Sequence, residues 1–134
     1  CKWRSKGVCF SKEVQRTVEE KWFPRSTQIT QVELLAVVPA FDTFGAELSG
    51  KRVVALIDSD AALGAIVKGY SRKDDISDLV SILWETIARY NIIVYFDRVS
   101  TDANISDGPS RDHWDLKAEC DWELLHVEWA MGVC

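Results

Sequence analysis

Three carboxylates stand where an ionised side chain calls for an explanation: Glu33 between Val32 and Leu34, Asp58 directly after the apolar run at residues 53–57, and Asp107 in a polar segment. A charged carboxylate at the end of a buried strand, or on the core side of a helix, needs a partner. A cluster of acids with no imidazole or thiolate beside it is a hard-oxygen site, matched to Mg2+ or Mn2+ rather than zinc. Two such ions roughly 3.5 to 4 Å apart can activate a water and stabilise the leaving oxygen of a phosphodiester. The same acids have plain structural uses: Glu33 in the first turn of a helix, Asp58 as a strand-end cap, Asp107 in a turn.

The elements that must position these acids can be read from the pattern of apolar residues. Residues 7–11 (GVCFS) and 14–19 (VQRTVE) are short, partly alternating segments and predict a β-hairpin. Leu34, Val37, Val38, Phe41, Phe44 and Leu48 then recur at helical steps up to Gly50, which predicts an amphipathic helix carrying Glu33. Pro39 lies inside that helix and is expected to kink it. Residues 53–57 (VVALI) form a continuous apolar run, the mark of a strand covered on both faces, and it ends at Asp58. A short helix is expected over 61–68, closed by Gly69 and capped by Ser59 or Asp60. A longer one follows, with Asp74 and Asp75 at its positive end and Ile76, Leu79, Val80, Leu83 and Ile87 as its stripe, stopping near Asn91. Residues 92–96 (IIVYF) predict a second buried strand. After a polar, turn-rich stretch at 97–109, Ala118, Trp122, Leu125 and Trp129 fall on one face of a last helical pattern, their indoles read as core. Strands alternating with helices of these lengths predict an α/β fold, a mixed sheet flanked by helices.

The 134 residues, 47% of them hydrophobic, suit a single domain spanning 1–134, with 113–134 as a C-terminal helical tail. No apolar stretch approaches the roughly 18 to 20 residues that cross a bilayer, so no membrane partner is expected. Cys1, Cys9, Cys120 and Cys134 are widely spaced, and His113 and His126 flank Cys120 at no zinc-ligand spacing. Reduced thiols in an intracellular protein, cytoplasmic or nuclear, are the reading preferred. A net charge of −5 argues against a strong free-standing nucleic-acid binder. Its distribution is uneven: Lys2, Arg4, Lys6, Lys12, Arg16, Lys21 and Arg25 give the first 25 residues a surplus of bases, and the last 23 are acidic. The front end is the part suited to face phosphate.

Three motifs, ITQVELLAV at 29–37, VVALIDSDAALGAIVKGYS at 53–71 and NISDGPSRD at 104–112, in this order and at these intervals, resemble the ribonuclease H domain that follows reverse transcriptase in retroelements. The resemblance extends over about residues 7–112 and implies a ribonuclease H-like sheet flanked by helices. It implies an endonuclease that hydrolyses the RNA strand of RNA/DNA hybrids by two-metal catalysis with Mg2+ or Mn2+, attached to an upstream reverse transcriptase in the same polyprotein. Carried over by position, Glu33, Asp58 and Asp107 are the catalytic metal ligands, with Asp60 a poorer substitute for Asp58. Ser59 and Asn104, beside the acids, are implied as nucleic-acid contacts, and both are equally suited to capping.

The family carries a further aspartate on a first strand that precedes the hairpin, and this sequence does not contain it. The expectation is a chain lacking that strand, with neighbouring strands left unpaired or forced to close the gap, and the truncated chain inactive. The segment at 100–106 also lacks the histidine that some members place there. A non-catalytic module that binds nucleic acid or props a reverse transcriptase is the alternative, and an integrase-like or resolvase-like substrate a third.

Overall fold

The computed structural model describes residues 29–104, together with the backbone of Val8–Cys9 and Glu123–Leu124. In chain order the elements are β1 (Val8–Cys9), α1 (Ile29–Leu48), β2 (Arg52–Ile57), α2 (Asp60–Lys68), α3 (Asp74–Arg89), β3 (Ile93–Arg98), a 3-10 turn (Thr101–Ala103) and β4 (Glu123–Leu124). The protein is of mixed α/β class. The described residues fall into two compact units, one holding 29–99 and the other holding Val8–Cys9, 100–104 and Glu123–Leu124.

In the larger unit β2 and β3 pair in parallel, Arg52 opposite Ile93 through Ile57 opposite Arg98. Parallel neighbours need a crossover connection, and α2 and α3 supply it. The two strands start side by side: Gly50 N–H donates to Asn91 O and Ile93 N–H to Lys51 O, both at 3.0 Å. Asn91 makes the turn into β3 at φ 52°, a conformation asparagine tolerates better than most residues. Val53, Ala55, Ile57, Val94 and Phe96 share the face turned toward the helices. Phe96 sits between Phe41 of α1 (centroids 5.8 Å apart) and Trp84 of α3 (5.7 Å, edge-on). The Trp84 indole also donates to Ile66 O at 3.0 Å, tying α3 to α2. Leu34, Leu35 and Val38 of α1, Ile66 of α2, and Leu79, Val80 and Leu83 of α3 complete the core.

The expectation that both strands are covered on both faces is corrected. Val54, Leu56, Ile93 and Tyr95 are 58–67% exposed. A parallel strand is buried on both sides only when layers lie on both sides, and among the described residues the helices pack on one. A continuous apolar run cannot say how many layers there are.

Helix α1 runs unbroken through Pro39, which is buried. The ring removes only the hydrogen bond that Leu35 O would accept. Its 20 residues include a window with mean hydropathy 1.2, so by length and composition alone this helix is apolar enough to cross a membrane. Core helices satisfy the same criterion, and α1 buries Leu34, Leu35, Val38 and Phe41 against its neighbours. Polar residues, among them Gln31, Glu33 and Asp42, interrupt the apolar run in the sequence.

The other helices follow their end signals. Ser59 caps α2, its Oγ accepting from Ala62 N–H at 3.2 Å, and Gly69 closes it at φ 77° with its N–H directed to Ala65 O and Ile66 O. Helix α3 begins at Asp74 and ends one residue before Tyr90.

In the smaller unit β1 pairs in parallel with β4, Val8 opposite Glu123 and Cys9 opposite Leu124. Glu123 and Leu124, expected inside the last helix, are therefore strand. Local periodicity lost to hydrogen bonds offered by a segment more than a hundred residues earlier, which no window of neighbouring residues registers. Both strand pairs among the described residues are parallel. The predicted hairpin beyond Val8–Cys9, and the rest of the C-terminal helical tail, lie outside the described residues.

Candidate active site

Asp58 is the first residue past β2. The strand ladder closes beside it, with Val99 N–H donating to Ile57 O at 3.0 Å, and Ser59 turns the chain into α2. Asp58 is thus held at the C-terminal end of a parallel strand, where open α/β sheets place their ligand crevices. It is half-buried.

Glu33 is on the second turn of α1, also half-buried, beside the fully buried Leu34. The rotation of α1 is fixed two residues earlier. Gln31, 1% exposed, donates from Nε2 to Asp75 Oδ2 of α3 at 3.1 Å, and Asp75 Oδ1 accepts the Ile76 N–H at 2.9 Å. Pro39 stands more than one turn further along and leaves the first turns of α1 intact.

With α1 and β2 so placed, the carboxyls of Glu33 and Asp58 come within interacting range of each other. Burial raises the affinity of Glu33 for its proton above the ordinary glutamate value, and the charge of Asp58 pushes the same way. Two carboxyls in such contact cannot both ionise cheaply. An oxygen-only donor pair is suited to a hard divalent ion.

The remaining expected residues are placed as follows. Asp107 lies outside the described residues, and among the described residues no group of three His, Cys, Asp or Glu side chains gathers. Ser59 uses its Oγ lone pair as the α2 cap. Asn104 closes the 3-10 turn, its N–H directed to Thr101 O at 3.2 Å, and belongs to the smaller unit. Asp60 does not join Glu33: its side chain is 84% exposed and pairs with Arg98 Nε at 2.7 Å. Arg98 was missed by the sequence reading. It stands opposite Ile57 in the ladder, at the same end of the sheet as Asp58. Its signal was a base two residues past the second apolar run, which becomes informative only once the two strands are known to be parallel and in this register.

No protein-family model, curated protein or solved structure matches this chain.

Proposed function

We propose that the chain is a ribonuclease H-like domain of a retroelement reverse transcriptase that hydrolyses the RNA strand of RNA/DNA hybrids. The observation that carries this reading is that the Glu33 and Asp58 carboxyls come within interacting range of each other. Two acids singled out 25 positions apart by motif order, one on a helix and one at a strand end, meet in the fold. The crossover from β2 through two helices to a parallel β3 is also compatible with such a sheet.

In this reading Glu33 and Asp58 would hold divalent Mg2+ or Mn2+ together with Asp107. When bound, the ions supply an activated water and charge stabilisation for the leaving oxygen. The chain's own contribution is to place two carboxyls in contact before any ion arrives. Helix and strand backbone hold both side chains in place. Substrate choice rests on duplex shape and 2'-hydroxyls rather than base sequence.

The test is cleavage of a hybrid with labelled RNA in Mg2+, using the chain with any encoded upstream sequence restored, beside its Asp58→Asn variant. Cleavage lost in the variant supports the nuclease. A folded protein that binds hybrid without cutting it overturns the catalytic reading in favour of a binding module.

A further inference from the structure

Two residues in and after α2 run against what the fold alone would favour. Gly64 lies in the helix interior, where glycine is the poorest former apart from proline, yet a Cβ built there meets nothing within 4 Å. No packing constraint calls for glycine at this position. Lys73 is the N-cap of α3 and makes no side-chain cap bond. A cation is disfavoured at that end of a helix, and Ser, Thr, Asp or Asn would serve better. Departures from local preference tend to fall where function overrides folding.

Both residues line one open cleft of about 430 Å³, with Ala61 and Lys68 of α2 and Tyr70 and Arg72 of the connecting loop. Ala61, Gly64 and Lys68 recur at three and four residue steps and make one face of the helix. The cleft opens at the N-terminal end of α2, beginning two residues after Asp58, and extends roughly 10 Å to Lys68. Its one acid, Asp60, is paired with Arg98. Lys68, Arg72 and Lys73 are exposed and give the cleft a positive end in a chain of net charge −5.

The geometry points to a groove for the phosphodiester backbone of a nucleic-acid strand, seated against Gly64 and held by Lys68, Arg72 and Lys73. A duplex strand presents a phosphate about every 3.4 Å of axis, so a strand leaving the Glu33–Asp58 pair along α2 brings roughly three phosphates within the length of the cleft. The small side chains of Ala61 and Gly64 let the backbone approach, and Tyr70, 60% exposed, offers a ring to a sugar or base. This inference rests on the reading of the acids as a nucleic-acid site.

The experiment is binding of a fluorescent RNA/DNA hybrid to the full chain without Mg2+, by anisotropy across a salt series. Three variants accompany the wild type: Lys68→Gln/Arg72→Gln/Lys73→Ser, Gly64→Gln, and the control Lys51→Gln/Arg52→Gln at the far end of β2. The triple variant lowers the salt slope by roughly two to three units and the affinity at least about tenfold. Gly64→Gln raises the melting temperature and weakens binding several-fold, a combination that misfolding cannot produce. An unchanged slope in the triple variant, an equal loss in the control, or no binding by the wild type overturns the groove. Cleft-dependent binding without Mg2+-dependent cleavage removes the nuclease reading and leaves the groove; cleavage with a cleft-insensitive slope does the reverse.

Discussion

Glu33 on α1 and Asp58 at the end of β2 bring their carboxyls within interacting range, while Asp60, two positions further on, turns to Arg98 instead. The neighbouring aspartates are therefore not interchangeable. In the hybrid-cleavage assay Asp58→Asn and Glu33→Gln each lower the rate at least about a hundredfold, about 2.7 kcal/mol of barrier. Asp60→Asn stays within about threefold of wild type. A larger loss at Asp60 than at Asp58 would assign the site to the wrong acid.

The same contact sets a pH dependence of stability. Burial, then the Asp58 charge, raises the folded-state pKa of Glu33 above its unfolded value. The folded state binds this proton more tightly than the unfolded chain. Its contribution is fully present below the unfolded pKa and is lost as pH rises through the folded pKa. Glu33→Gln removes that slope and is more stable than wild type at neutral pH by roughly 0.5 kcal/mol, small because the site is half open to solvent. Urea titrations on either side of the window check both statements.

Gln31 and Asp75 join α1 to α3 in the interior. Asp75→Ala leaves the Gln31 amide buried and short of an acceptor, and destabilises the fold by about 1–3 kcal/mol. Replacing both, as Gln31→Leu/Asp75→Ala, recovers part of that loss. Because Gln31 sets the rotation of the turn that carries Glu33, the single variant also lowers cleavage in samples shown to be folded by circular dichroism.

Gly45 of α1 lies against the Tyr90 ring, which a methyl group on Gly45 would run into. Gly45→Ala is destabilising by about 1–3 kcal/mol despite the better helix propensity of alanine. Tyr90→Ala in the same chain relieves the overlap. Thermal melts of the two single variants and the double variant give the coupling, and strict additivity would exclude the contact.

Much of the larger unit was legible in the sequence because its signals are local. Helical recurrence in α1 and α3, the Ser59 cap and Gly69 stop of α2, and the apolar runs of β2 and β3 each depend on neighbours within a few positions. Motif order singled out Glu33 and Asp58 for the same reason. Their convergence, the exposure of Val54, Leu56, Ile93 and Tyr95, and the strand at Glu123–Leu124 belong to tertiary structure. Each depends on which distant element supplies the facing layer or the complementary hydrogen bonds. The Asp60–Arg98 pair is of this kind: one residue stands at a helix start and the other at a strand end, and only the parallel register of β2 and β3 brings them within 2.7 Å. Local propensity determines the elements, and the partner each face finds determines which side chains become a site.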